Sequence, residues 1–181
     1  MPRTKIVAAA GLALALAAPP LAAQQVDWQF PAVEYGPVVP IRGATAERAG
    51  GEPYKVIFNI TQGTPGDGRV NNELALVGRF VNLLALSGMD PRQSDIVAVV
   101  HGAATPAVVG GPPYMARYGA PNPNAEVIQQ LENQGVEVVV CGQALVGAGF
   151  SQDAVLEPVD VSISALTEIA SRQMEGYALM P

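Results

Sequence analysis

The chain contains one cysteine and one histidine among its 181 residues, and each comes at the end of an apolar segment. Cys141 ends the segment VEVVVC, and His101 ends the segment DIVAVVH. A thiolate is a strong nucleophile, and an imidazole beside it can take up or deliver a proton. These two residues are therefore the candidates for nucleophilic sulfur chemistry in this sequence.

Cys141 has two interpretations. Gly142 follows it, and a short helix is predicted to begin near Gln143, so the thiol would lie near free backbone N–H groups. Such a setting lowers the pKa of a cysteine below its usual value of about 8.5. The alternative is a small, inert, buried side chain that ends a strand, which is the commoner situation for a free cysteine.

His101 has the same two interpretations, because a single histidine at a strand end often serves only as a structural hydrogen-bonding residue. If its strand lies beside that of Cys141, the imidazole can pair with the thiolate or shuttle a proton. The order of the strands decides this point, and it stays open at the level of the sequence.

A regular alternation of strands and helices begins at Tyr54 and positions both residues. Segments rich in β-branched and apolar residues predict five strands: Tyr54–Ile60, Asp95–His101, Val136–Cys141, Val159–Ile163 and Tyr177–Met180. Strands that alternate with helices predict an α/β fold in which a mainly parallel sheet lies between two helical layers.

The predicted helices have recognisable ends. Asn71 or Asn72, Asn124 and Ser164 are expected as N-caps, with glycines as the stops. A short helix is predicted over Ala103–Val109, whereas residues 110–123 are predicted to be a long loop because they contain four prolines.

Reacting groups in a parallel α/β sheet collect beyond the carboxyl ends of the strands. The polar or reactive residues predicted at this edge are Asn59, Thr61, Gln62, His101, Cys141, Ser162 and Ser164. The spacing of Gly63, Gly66 and Gly68 fits neither a dinucleotide-binding turn nor a phosphate-binding loop. No Cys or His cluster has zinc spacing, so neither a metal nor a cofactor is expected.

The N-terminal region predicts export. Residues 1–23 have Arg3 and Lys5 before an apolar run from Ile6 to Ala18 and small residues near Ala23, which is typical of a signal peptide. The run is shorter than the roughly 20 residues that span a bilayer, and no later segment is long enough. We therefore expect an exported, periplasmic protein without a membrane span after leader removal. Residues 24–53, rich in Pro and Gly, are predicted to form an extended arm.

The net charge of the chain limits the classes of partner that are expected. The leader holds two of the ten basic residues and no acidic residue, so the remaining chain carries 8 minus 16, or a net charge of −8. An acidic protein does not attract phosphate backbones, and nucleic acid is not expected as a partner.

The segment GVEVVVCGQAL at residues 135–145 resembles the strand and cysteine turn of the DsrE/DsrF-like family. Three further segments resemble the family in the same order: VVHG at residues 99–102, NAEVIQQL at residues 124–131, and SAL at residues 164–166 leading to GYAL at residues 176–179. The resemblance extends over residues 54–181. It implies a Rossmann-like three-layer sandwich of about five strands and a homo-oligomer such as a trimer or a hexamer.

In the sulfur-relay branch of this family, the matching cysteine accepts sulfur as a persulfide and passes it to the next carrier. The resemblance assigns that role to Cys141, with His101 as its helper and a sulfur-donor or sulfur-acceptor protein as a partner. The alternative function is a non-catalytic homo-oligomeric protein, structural or binding a small ligand, in which Cys141 is buried. Whether the chain is an enzyme stays open.

Overall fold

The computed structural model describes residues 26–44, 52–64 and 68–180 of the chain; the predicted signal peptide lies outside them. Five parallel strands form one sheet in the order β4-β3-β2-β1-β5. They are β1 (Lys55–Ile60), β2 (Asp95–Val100), β3 (Val136–Cys141), β4 (Val159–Ser162) and β5 (Ala178–Met180). The predicted α/β class and the parallel sheet of about five strands are confirmed.

Five α-helices and three short 3₁₀ helices connect the strands. The α-helices are α1 (Asn72–Leu86), α2 (Gly111–Tyr118), α3 (Ala125–Asn133), α4 (Gly142–Gly147) and α5 (Ala165–Met174). The 3₁₀ helices are Pro91–Gln93, Gly102–Val108 and Gln152–Ala154. The second of these agrees with the short helix predicted after His101.

Alternate residues of each strand point to opposite sides, so the sheet has two faces. The two faces are covered unequally. The front face is the one on which α1 to α4 pack, and it receives Ile96, Ala98 and Val100 from β2. The back face is the one on which α5 packs, and it receives Val97 and Val99. Both sets are buried, which is why the sequence of β2 is a continuous apolar run.

The direction of the chain explains why only α5 covers the back face. From β1 to β4 each new strand is added on the same side of the previous one, and a right-handed crossover then places every connecting helix on one face. After β4 the chain reverses and runs back to pair β5 with β1, which places α5 on the opposite face. The prediction of helices on both faces is confirmed.

The loop prediction for residues 110–123 is wrong in part, since Gly111–Tyr118 form α2. Pro112 and Pro113 lie in the first turn of this helix, where a backbone N–H has no partner within the helix and its absence costs nothing. The helix ends at Gly119, whose φ of 69° lies in the left-handed region. The prolines therefore mark the start of a helix rather than an irregular segment.

Asn71, Asn124 and Ser164 occupy the N-cap positions as predicted, but only two of them cap with their side chains. The side chains of Asn71 and Ser164 cap α1 and α5 by accepting hydrogen bonds from backbone N–H groups. Asn124 precedes α3 but its side chain does not cap it. Its Oδ1 instead accepts a hydrogen bond from the backbone N of Asn71, and its Nδ2 donates to Thr64 Oγ1. This fully buried asparagine joins two loops instead of ending one helix.

The described part of the arm, residues 26–44, lies against α1. Asn82 of α1 is fully buried and directs its whole amide at the arm backbone. Its Oδ1 accepts hydrogen bonds from the backbone N of Ala32 and Val33, and its Nδ2 donates to the carbonyls of Val33, Tyr35 and Gly36. One helical side chain thus holds an extended segment of the arm.

Two glycines permit the arm to approach α1 closely. A Cβ on Gly78 would lie 2.9 Å from the carbonyl oxygen of Tyr35, and one on Gly36 would lie 2.2 Å from the backbone N of Arg79. The side chains of Val33 and Val38 are buried by this packing. The arm is therefore part of the folded structure over these residues.

Candidate functional site

At the carboxyl edge of the sheet, the connections that follow β3 and β4 go to opposite faces. The chain leaves β3 for α4 on the front face, whereas it leaves β4 for α5 on the back face. In α/β proteins, ligands often bind where neighbouring strands have connections that go to opposite faces. Cys141 and Ser162, which pair in register, form this point of the edge.

Cys141 is both the last residue of β3 and the N-cap of α4. Its Sγ accepts a hydrogen bond from the backbone N of Ala144 at 3.4 Å. The predicted helix near Gln143 is present and begins at Gly142. A side chain on Gly142 would meet the carbonyl oxygen of Ser162 at 2.9 Å, so a glycine is needed where the two strand ends meet.

The thiol is nearly enclosed within one chain. Cys141 is 6% exposed, and it belongs to the back cluster with Val99, Val139 and Ala165. Ala144 also packs there. The sulfur therefore combines one polar contact with apolar neighbours, and its small exposed fraction leaves access only from the edge of the sheet.

Two large apolar side chains lie just beyond this edge. Ile163 is 81% exposed and Leu166 is 82% exposed, on either side of the cap residue Ser164. Exposed apolar side chains this close in the chain mark a candidate interaction surface.

His101 directly follows the last residue of β2. The last register pair of β2 and β3 is Val100 with Val140, and Cys141 is the next residue of β3. By strand alternation His101 follows Val97 and Val99, so its side chain belongs to the same back face as that of Cys141. The strand order thus makes the two residues neighbours at one edge, which the sequence left open.

The imidazole of His101 hydrogen-bonds to Asn59 of β1 and not to the thiol. Its Nε2 lies 2.6 Å from Asn59 Oδ1. Both side chains are partly buried. The sequence placed Asn59 among the polar residues of the edge but did not identify it as the partner of His101. The pairing requires β1 and β2 to be adjacent, and no local pattern carries that information.

The turn after β1 is filled by the protein itself. The carboxylate of Glu73, in the first turn of α1, accepts hydrogen bonds from the backbone N of Thr61 at 2.6 Å and of Gln62 at 2.7 Å. These amides would be the ones available to a phosphate at this position. Gly66, the middle glycine of the pattern at residues 63, 66 and 68, lies outside the described residues.

Metal and membrane features are absent from the part of the chain that the structure describes. Within residues 26–44, 52–64 and 68–180, no three His, Cys, Asp or Glu side chains group so as to hold a metal ion. In the same ranges no helix has the length and apolarity that a bilayer crossing requires.

A cavity of about 350 Å³ lies at the carboxyl edge on the front side. Its wall includes Thr64, Pro106, Tyr114 and Tyr118, and Ala103 two residues after His101 also lines it. The rings of Tyr114 and Tyr118 are 4.6 Å apart. A cavity of this volume with tyrosines in its wall can hold a small molecule with an apolar or planar part.

Comparison with known proteins gives a family and two solved structures. The model of the DsrE/DsrF-like family matches residues 55–181. A protein of unknown function from Methanobacterium thermoautotrophicum, MTH1491, is 26% identical with a TM-score of 0.53, over 70% of this chain and 97% of that one. The ychN protein from E. coli is 20% identical with a TM-score of 0.50, over 69% and 96%, and shares the fold.

A search of curated proteins finds no match. The family match confirms the resemblance that residues 135–145 indicated. It begins at residue 55, so the arm that packs on α1 lies outside the matched region.

Proposed function

The chain belongs to the DsrE/DsrF-like family, and on that premise we propose that it carries sulfur as a persulfide on Cys141, with His101 as the helper. The family suggests a role of the sulfur-relay type. The observation that carries the proposal is the position of Cys141, at the carboxyl end of β3 beside the end of β4, with a backbone N–H directed at its sulfur.

The chemistry needs negative charge on sulfur, first on the attacking thiolate and then on the terminal sulfur of the persulfide. The hydrogen bond from the backbone N of Ala144 to Sγ stabilises negative charge at that atom. The apolar neighbours of Cys141 keep water from the sulfur, which protects a persulfide from side reactions. Both features suit a carrier that holds sulfur briefly.

The test uses the fact that the chain has a single cysteine, so every thiol adduct is assigned without ambiguity. The folded protein is exposed to a small organic persulfide and its intact mass is measured. We expect a gain of one sulfur atom, lost again on reduction, and none in Cys141→Ser. The matched control Ser162→Ala, at the paired position of β4, should gain sulfur like the unaltered chain. Absence of the adduct from a folded protein whose thiol can be alkylated would contradict the proposal.

A second candidate is a non-catalytic protein that binds a small ligand. Two observations favour it: Cys141 is 6% exposed, and a cavity of about 350 Å³ lies at the same edge. Alkylation kinetics separate the two functions. A thiol that reacts more slowly than a free model thiol until denaturant is added favours the ligand-binding protein, whereas a reactive thiol in the folded state favours the carrier.

We further propose that the chain assembles as a homo-oligomer, a trimer or a hexamer. Its support is the outer side of α5 on the back face, where Leu166 and Met174 are each more than four-fifths exposed although they are large and apolar. Burying such side chains stabilises association by roughly 25 cal/mol for each Å² removed from water. Sedimentation velocity should give a particle of three or six chains; a monomer at micromolar concentration would contradict this assembly.

Export to the periplasm remains a proposal that rests on residues 1–23. Expression in a bacterial host followed by fractionation should place the protein in the periplasm, with an N-terminus at Gln24. A full-length protein in the cytoplasmic fraction would contradict it. A sulfur-donor or sulfur-acceptor protein in that compartment is the expected partner.

A further inference from the structure

The contact between Asn59 and His101 fixes where the imidazole holds its proton. Asn59 Oδ1 is an amide oxygen and can only accept a hydrogen bond, so at 2.6 Å the Nε2 of His101 must be the donor. A neutral imidazole carries one proton, and with that proton on Nε2 the other nitrogen, Nδ1, has a free lone pair. The contact therefore selects one of the two tautomers.

Asn59 owes its place to the register of β1 and β2. It pairs in register with Val99, two residues before His101, and on the back face its side chain lies diagonally behind the imidazole. The backbone N of His101 donates to the carbonyl of Ile60, which ties the end of β2 to β1. Asn59 interrupts an otherwise apolar part of β1, and the interruption serves this contact.

Cys141 approaches His101 from the other side. The strand β2 lies between β1 and β3, and neighbouring strands are about 4.8 Å apart. Val100 and Val140 are the last register pair of β2 and β3, and His101 and Cys141 each follow that pair by one residue. The two residues therefore occupy equivalent positions of adjacent strands. The strand that carries the imidazole therefore lies between the strand of the Asn59 amide and the strand of the Cys141 thiol.

We propose that Asn59 is a positioning residue that keeps the proton of His101 on Nε2, so that Nδ1 is the base that receives the thiol proton of Cys141. This inference rests on the proposed function and deepens it. In the reaction, Nδ1 takes the proton of the thiol, and the thiolate attacks the terminal sulfur of a donor R–S–SH. The S–S bond of the donor breaks, one sulfur atom is transferred so that Cys141 becomes Cys–S–SH, and the released R–S⁻ takes the proton from Nδ1 to become R–SH. No oxidant is consumed.

The other charged groups are few at this edge. The carboxylate of Glu73 is held by the amides of Thr61 and Gln62. The pairs that Arg172 makes with Glu137 and Glu168 involve the last turn of α5, at the opposite end of the strands. Asp160 lies on the edge strand β4 and is exposed. Asn59 is thus the group that the structure places in contact with the imidazole.

The first test reads the tautomer directly. The chain has one histidine, so protein labelled with ¹⁵N-histidine gives the ring signals of His101 alone. We expect the neutral ring to carry its proton on Nε2 and to leave Nδ1 bare. Asn59→Leu should lower the share of this tautomer, and Asn59→Asp should keep it. A proton on Nδ1 in the unaltered chain, or a ratio unchanged in Asn59→Leu, would overturn the proposal.

The second test measures the thiol. Alkylation of Cys141 at neutral pH should be slowed about tenfold by Asn59→Leu and about a hundredfold by His101→Ala, while Asn59→Asp restores the rate and moves the acid limb of its pH profile. Thr61→Val at the end of the same strand is the matched control, and thermal melting shows that each variant is folded. Equal rates in all variants would overturn the role of Asn59.

Alkylation requires no sulfur donor, so the two proposals can fail separately. A chain that shows the tautomer and rate effects but gains no sulfur from a persulfide would overturn the carrier function while leaving the positioning of His101 intact. A chain that gains sulfur, and gains it at the same rate with Asn59→Leu, would support the carrier function and overturn the positioning role of Asn59.

Discussion

The two faces of the sheet differ in what covers them. On the front face four helices and the arm bury a large apolar cluster, which includes Phe58, Leu74 and Leu131. On the back face α5 alone covers a small cluster, and Leu166 and Met174 of that helix stay exposed. The candidate chemistry lies at the edge of the thinly covered face. The difference indicates that the larger buried core lies on one side of the molecule and the candidate site at the edge of the other.

The largest expected effect comes from the front core. Leu74 of α1 is fully buried, and Leu74→Ala should lower the free energy of unfolding by about 3 to 4 kcal/mol through lost burial and the cavity left behind. Urea denaturation measures it. The control on the back-face helix is Ser171→Ala at an exposed position of α5, which should change stability by less than about 0.5 kcal/mol. Equal losses would remove the distinction between the faces.

The arm gives the next largest effect. Asn82→Ala removes the amide that holds the arm backbone and leaves the N–H groups of Ala32 and Val33 without that partner. We expect a loss of about 2 kcal/mol, limited because a detached arm can turn to water, and faster proteolysis within residues 26–44. Asn133→Ala on the exposed side of α3 is the control. A protease-resistant arm in Asn82→Ala would show that other contacts hold it.

Self-association can be tested by a substitution on the exposed side of the back face, which leaves the buried residues of that face unchanged. Leu166→Glu places a charge on the exposed apolar surface and should weaken self-association by about tenfold or more, which corresponds to about 1.4 kcal/mol per tenfold. Sedimentation velocity over a range of concentrations measures it. Leu83→Glu, at an exposed position of α1 on the front side, should leave association unchanged. The opposite pattern would move the interface to the front face.

The smallest expected effect is a pH dependence at the end of α3. Burial, followed by the charges of Asp160 and Glu137, raises the pKa of Glu132 above its ordinary value of 4.5, although the backbone N of Val138 opposes the shift. The folded state therefore binds this proton more tightly than the unfolded state does. The contribution of Glu132 to stability should fall as the pH rises from 4.5 through the raised pKa, and then stay constant.

Glu132→Gln isolates this contribution, because glutamine can still accept from the backbone N of Val138 but does not ionise. The difference in melting temperature between Glu132→Gln and the unaltered chain should grow in favour of the variant as the pH rises through that window. A difference that is constant with pH would show that the carboxyl group is not perturbed.

Sequence patterns located the elements well where their signal is local. The apolar run of β2 and the buried face of α1 follow from residue type and spacing over a few turns or pleats. These elements were therefore predicted close to their observed ends. The prolines of residues 112 and 113 misled the prediction, because proline breaks a helix interior but suits a first turn. The role of Asn124 was missed because its partners, Asn71 and Thr64, are distant in sequence.

By itself the sequence determined the α/β class, the parallel sheet, the family, and the presence of one cysteine and one histidine at strand ends. These follow from periodicity and motifs, which are properties of short segments. Only the tertiary structure decided that β2 stands between β1 and β3, and hence that His101 contacts Asn59 and neighbours Cys141. Strand order depends on how distant segments bury their apolar faces together, and that energy belongs to the folded chain as a whole.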